Sequence, residues 1–243
     1  MSVSSAEFEA VTISEMDLAA LVECCFDVTE AYKLARKYIR VTGSFPVTKI
    51  VTFVSELIKE GFTPDEARKV VRDPFTISGS KTRRIASAVK SIIALGFSLE
   101  EVRNMVVLVP SILGMPNRVC EVITGLEKYG LSNQEAREMA IGAPMILSYK
   151  LSRTCHGIDV LRFCGLNLSK HALKLICAPE LLRARARYMF DNDCDESEMA
   201  SYLAAANDVF AKKFEIAREE LIALDPGKEA FIDFFTYQAT LPK

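Results

Sequence analysis

Apolar residues recur along this chain at helical spacing. After Ser98 they fall at Val102, Met105 and Val106, after Ser132 at Ala136, Met139 and Ala140, and after Ser169 at Leu173, Ile176 and Cys177. Steps of four, seven and eight residues from a common start lie on one face of a helix. A longer stripe follows, as in Val119, Ile123 and Leu126. Alternation of apolar and polar residues, the mark of a half-buried strand, is absent. The pattern predicts an all-α chain.

The stripes repeat. Gly61-Phe62-Thr63, Gly96-Phe97-Ser98, Gly130-Leu131-Ser132 and Gly165-Leu166-Asn167-Leu168-Ser169 set glycines 35, 34 and 35 residues apart. Pro74, Pro110, Pro144 and Pro179 follow at intervals of 36, 34 and 35. Behind them come Ile77, Ile112-Leu113, Ile146-Leu147 and Leu181-Leu182. Thr63-x-x-Glu66, Ser98-x-x-Glu101 and Ser132-x-x-Glu135 have the form of capping boxes, in which hydroxyl and carboxylate satisfy the free amides of a helix start. The preceding glycine ends the previous helix, and the proline about 12 residues on ends the next. Each copy thus reads as helix, break, helix, and copies of about 35 residues stack as a solenoid.

This organisation predicts an N-terminal capping helix within 1–26, repeats over 27–190 and a C-terminal cap over 191–243. The first copy, 27–60, is degenerate: Thr29 is its expected cap, and no proline stands near position 40 to break it. Asp191–Glu198 reads as an acidic connector. Met199, Leu203, Ala206, Phe210, Phe214, Ala217 and Leu221 predict one long amphipathic helix, ended by Asp225-Pro226-Gly227. A short helix bearing Phe231, Phe234 and Phe235 is expected to close the chain.

Composition narrows the class. Half of the 243 residues are hydrophobic and 26% are charged, enough for a substantial core. No apolar run reaches the 18 or so residues of a membrane span, so no membrane partner is expected. The first 30 residues hold Glu7, Glu9, Glu15, Asp17, Glu23, Asp27 and Glu30 and no Lys or Arg, unlike a transit peptide, so none is expected there.

The net charge of -2 conceals a strong asymmetry. Residues 1–60 carry six basic and nine acidic residues, 61–190 carry 19 and 11, and 191–243 carry five and 12. A basic body between acidic ends is the footprint of a polyanion-binding surface. Lys49, Arg84, Arg118, Arg153 and Arg187 occupy one repeat column, with Thr48, Asn117 and Ser152 as candidate caps just before Lys49, Arg118 and Arg153. Those caps put the cation in the first turn of the second helix, where the macrodipole disfavours it. An external phosphate would offset that cost. Lys81, Arg83, Lys150, Arg183 and Arg185 extend the candidate surface. A column can also persist by duplication alone. A second column, Arg68, Arg103, Arg137 and Lys174, is expected to pair with acidic neighbours on its own helix.

Candidate chemistry is sparse. Seven cysteines form no C-x-x-C pair, and Cys155, His156, Cys164, His171 and Cys177 match no zinc spacing. The thiols are expected to be reduced core residues, and His156 and His171 structural. With no glycine-rich nucleotide loop and no catalytic constellation, neither enzymatic activity nor a cofactor is expected.

Gly-Phe-Ser/Thr-x-x-Glu followed by Pro-x-Ile/Leu-Leu every 34–35 residues resembles the mitochondrial transcription termination factor (mTERF) family, over about residues 27–190. The repeats of TAL effectors share Phe62-Thr63-Pro64 in the form Leu-Thr-Pro but lack the Pro-x-Ile/Leu-Leu step. The mTERF resemblance implies a curved stack whose concave, basic side binds organellar DNA or RNA. It also implies a role in mitochondrial or plastid transcription, ribosome assembly or translation. Two functions follow. One is a nucleic-acid binder that grips phosphates with the first column. The other is a scaffold subunit of a large organellar assembly such as the mitochondrial ribosome, beside ribosomal RNA and ribosomal proteins.

Overall fold

The computed structural model describes residues 13–79, 85–164, 178–203, 205–227 and 229–231. Among them every regular element is helical and no strand occurs. The helices are α1 (Glu15–Glu23), α2 (Val28–Thr42), α3 (Val47–Lys59), α4 (Pro64–Val71), α5 (Pro74–Gly79), α6 (Ile85–Ile93) and α7 (Leu99–Leu108). They continue with α8 (Pro116–Lys128), α9 (Asn133–Gly142), α10 (Leu151–Phe163), α11 (Pro179–Asp191), α12 (Glu196–Tyr202), α13 (Asn207–Phe214) and α14 (Arg218–Ala223).

A single kind of turn joins many of them. Gly61, Gly96 and Gly130 take φ values of 90°, 92° and 93°, open only to a residue without a side chain at little cost. The Gly61 amide donates to the Ile58 carbonyl at 3.0 Å and the Phe62 amide to that of Leu57 at 3.1 Å, which closes α3. Phe62 is buried. One residue on, the Thr63 hydroxyl accepts from the Glu66 amide at 3.3 Å while the Glu66 carboxylate accepts from the Thr63 amide at 2.8 Å. The same reciprocal box opens α7 at Ser98 and Glu101 and α9 at Ser132 and Glu135, as the sequence predicts.

The turn also occurs where the sequence pattern hides it. Cys25 (φ 65°) precedes Phe26, whose amide donates to the Leu21 carbonyl at 3.1 Å, and Asp27 then caps α2 by accepting from the Glu30 amide at 2.7 Å. The cap of the first copy is Asp27, not Thr29, which lies inside α2. Beyond residue 190, Asp193 (φ 53°), Cys194 and Asp195 repeat the arrangement, with Asp195 accepting from the Glu198 amide at 2.8 Å. Cys and Asp here tolerate a left-handed conformation that glycine adopts freely elsewhere.

Prolines break the copies as expected. Pro110–Gly114 and Pro144–Leu147 form 3-10 turns that bury Ile112, Leu113, Ile146 and Leu147. Without a proline near 40, α2 runs 15 residues before Gly43 and Pro46 interrupt the first copy. The last copy differs: α11 starts at Pro179 and continues unbroken to Asp191.

The chain divides into two compact units, Met1–Cys120 and Glu121–Lys243, a division inside α8 and away from the sequence boundaries at 26 and 190. In the first unit α3 is central, packing on α1, α4, α5 and α6 with Ile50, Phe53, Val54 and Leu57 fully buried. Tyr38 of α2 donates to the Val71 carbonyl at 2.7 Å, and burial followed by the Asp73 charge raises its phenol pKa. In the second unit α11 packs against α10 and α14. The predicted long helix over 199–221 is instead three short ones, α12 to α14, separated near Leu203–Ala206 and Glu215–Ala217. A straight helix of that length would extend roughly 34 Å, at about 1.5 Å per residue. The breaks let Leu203, Phe210 and Leu221 all be buried. Phe231 is buried, while Phe234 and Phe235 lie outside the described residues.

Candidate nucleic-acid interface

Three members of the first column share one backbone position. Lys49, Arg118 and Arg153 are each the third residue of a helix, in α3, α8 and α10, and each is half-buried. The expected caps do not cap: α3 is preceded by Pro46 and α10 by Lys150, and Thr48, Asn117 and Ser152 lie inside their helices. Two first-turn amides are also occupied, Arg118 donating to the Met115 carbonyl at 2.9 Å and Arg153 to that of Lys150 at 3.0 Å. An anion at these helix starts would therefore meet side-chain cations and fewer free amides than the sequence implies.

The remaining members diverge. Lys81, Arg83 and Arg84 lie outside the described residues. Arg187 is not in a first turn, because α11 begins eight residues earlier at Pro179; it pairs with Asp191 at 2.8 Å within its own helix. Arg153 donates to Glu180 at 2.7 Å and lies over the Tyr149 ring at 5.5 Å, with its side chain 40% exposed. An ion pair that open to water contributes little to stability and exchanges readily for another anion.

Arg183 and Arg185 are corrected outright, because both are buried. Arg183 forms a two-pronged pair with Asp225, Nε to Oδ1 at 2.7 Å and an η-nitrogen to Oδ2 at 2.5 Å. Arg185 donates to the carbonyls of Leu203 at 3.0 Å and Ala205 at 2.7 Å and to Asn207 Oδ1 at 2.8 Å, with its guanidinium 4.5 Å from the Phe210 ring centre. Burial pushes its pKa down to about 10, leaving it charged at neutral pH. These two arginines tie α11 to the segments around α12–α14. Adjacent charge in the sequence could not separate them from a surface cluster; their neighbours Leu181, Leu182, Ala184, Ala186 and Met189 are the apolar signal that does.

Lys150, which is exposed, and Arg153, which is half-buried, line a cleft of about 510 Å³ in the second unit together with His156, Pro179, Glu180 and Arg183. His156 is buried there, as a structural histidine would be. Among the described residues no group of His, Cys, Asp and Glu is placed to hold a metal, and His171 and Cys177 lie outside them. Cys24 and Cys155 are buried, whereas Cys25 and Cys120 are exposed, so the thiols do not all fill the core. Burial pushes the Cys164 thiol up to about 12.

The second column acts between copies and not only along its own helix. Arg103 donates to the Gly61 carbonyl at 2.9 Å and approaches Glu66 of the preceding capping box at 3.6 Å. Arg68 repeats the contact one copy earlier, donating to the Cys25 carbonyl, approaching Glu30 at 3.5 Å and also pairing with Asp65. Arg137 is half-buried and Lys174 lies outside the described residues. The signal was present in the sequence, since Arg68, Arg103 and Arg137 each stand seven residues after the glycine of their own copy.

No protein-family model matches the chain, and no curated protein is found similar to it in sequence.

Proposed function

We propose that the chain is a non-enzymatic helical-repeat protein of the mTERF type, a curved solenoid that binds DNA or RNA in mitochondrial or plastid gene expression. The observation that carries this reading is the recurrence of a half-exposed cation at the third residue of the helix after the break, in Lys49, Arg118 and Arg153. A cation there opposes the helix macrodipole, and a phosphate would relieve that opposition. Lys150 adds an exposed charge beside Arg153. Glu180 holds Arg153 until a phosphate replaces it.

The test is the salt dependence of binding to duplex DNA and to single-stranded RNA. Arg118→Gln with Arg153→Gln should lower the log–log slope by about 1.8 on duplex and about 1.4 on a single strand, with helix content unchanged. An unaltered slope removes these two residues from the interface. Absence of binding by the wild type at low salt favours the scaffold reading. One observation already points that way: Arg153 and Arg187 are matched by carboxylates of the chain itself, as in a structural ion-pair surface.

A further inference from the structure

The exposed face of α2 carries Lys33, Arg36, Lys37 and Arg40, and all four side chains are exposed. The opposite face buries Ala31, Leu34, Ala35 and Tyr38. Offsets of three, four and seven residues put the cations in one line along the helix, at about 5.4 Å per turn. The net acidity of residues 1–60 conceals this line: four of the six basic residues of that segment fall within it.

Among the described residues no carboxylate offsets this concentration of charge by pairing with it. Neighbours three and four apart on this face are all of one sign, an arrangement that disfavours a helix. None of the four pairs with a carboxylate among the described residues; Lys37 donates to the Arg72 carbonyl at 2.6 Å and keeps its remaining protons free. The helix has one acid, Glu30, and it is taken by Arg72 at 2.6 Å. The macrodipole favours Arg40 in the last turn but opposes Lys33 near the first. Lys33 and Lys37 continue into a cleft of about 330 Å³ lined also by Phe26, Glu30, Leu34 and Arg72. Lys69 and Arg72, exposed at the end of α4, widen the positive surface within the same unit.

We infer that the α2 face, with the adjoining cleft at Arg72, is a second phosphate-binding surface that takes the sugar–phosphate backbone of a nucleic acid along the helix. The inference rests on the nucleic-acid reading above and adds a site outside the repeat column. A flexible polyanion suits it better than a compact ligand. The cations are spread over about two turns of an open helix face, and uniform positive charge reads backbone, not base.

The experiment uses the full chain, a fluorescent oligouridylate and a duplex DNA. Arg36→Gln with Arg40→Gln should lower the salt slope by about 1.4 on the single strand. Lys90→Gln with Lys128→Gln, which removes two exposed cations elsewhere, should leave it nearly unchanged. Arg36→Glu supplies the check on folding: it turns a like-charge pair with Arg40 into one of opposite charge, so its melting temperature should not fall while its affinity does. If the α2 variants match the Lys90 and Lys128 control while the Arg118 and Arg153 variant still lowers the slope, the α2 site is wrong and the proposed function stands. If the wild type binds neither probe at low salt, both are wrong.

Discussion

The Arg103 guanidinium donates to the carbonyl of Gly61 at 2.9 Å across 42 residues of chain. Gly61 is the first residue of one copy and Arg103 stands in the first helix of the next, so this bond ties one copy to its neighbour. A charged donor to a carbonyl contributes about 1.5–3 kcal/mol, and partial exposure puts this one near the lower end. Arg103→Gln should reduce unfolding free energy by about 1.5 kcal/mol in urea titrations and leave the salt slope of nucleic-acid binding alone. A change in slope without loss of stability would move Arg103 into the interface.

Gly61 and Gly130 share a left-handed backbone but differ in their surroundings. A Cβ on Gly61 would lie 2.9 Å from Leu99 Cδ2, whereas one on Gly130 meets nothing within 4 Å. Gly130→Ala should therefore cost only the backbone penalty, about 1–2 kcal/mol. Gly61→Ala should cost measurably more, because Leu99 must shift as well. Equal losses would show that Leu99 yields freely.

Arg183 and Asp225 form a pair with side chains 8% and 15% exposed. Removing one partner of such a pair strands the other charge and costs about 3–5 kcal/mol. Asp225→Ala should lower the melting temperature sharply, while joint replacement by Arg183→Met and Asp225→Leu should recover much of the loss. Mild destabilisation by Asp225→Ala would mean that water reaches Arg183.

The Glu135 carboxyl is held below its usual pKa, chiefly by its side-chain hydrogen bond with Ser132 and then by the Ser132 amide. A depressed folded-state pKa gives stability that is present above the unfolded value and lost as pH falls through the folded one. Glu135→Gln should therefore flatten the decline of melting temperature below about pH 4.5, the ordinary carboxylate range. A decline as steep as that of the wild type would assign the acid sensitivity to other carboxylates.

Burial should also order the thiols. Mass-resolved alkylation of the native chain near pH 8 should label Cys25 and Cys120, which are exposed, well before Cys24, Cys155 and Cys164, whose pKa values burial raises. Early labelling of Cys155 would reveal opening of α10.

The periodic parts of the fold were legible because local rules enforce them. A glycine at positive φ, a buried apolar residue and a hydroxyl cap with Glu three places on leave the same trace at Gly61, Gly96 and Gly130. Asp27 and Asp195 escaped because Cys25 and Asp193 stand in the glycine position, a substitution that conformation permits and pattern-matching does not. The breaks in 199–221 were invisible for another reason: the helical stripe is real, but Leu203, Phe210 and Leu221 reach one core only when the chain turns between them. Arg183 and Arg185 failed similarly, since a buried and a surface arginine look alike until Asp225 and the Leu203 carbonyl are placed. The α2 line was hidden by summing charge over 60 residues where eight carried it.

The turn at Gly61, Phe62 and Thr63 has a consequence for how such a chain grows. Its first residue completes the helix behind, its third opens the helix ahead, and the residue between them is buried. A segment excised from one left-handed position to the next therefore carries matching ends, and inserting another copy between Gly61 and Gly96 would create no junction the chain does not already tolerate. Lengthening needs no new loop, only a further Arg to reach back to the carbonyl of the copy before it.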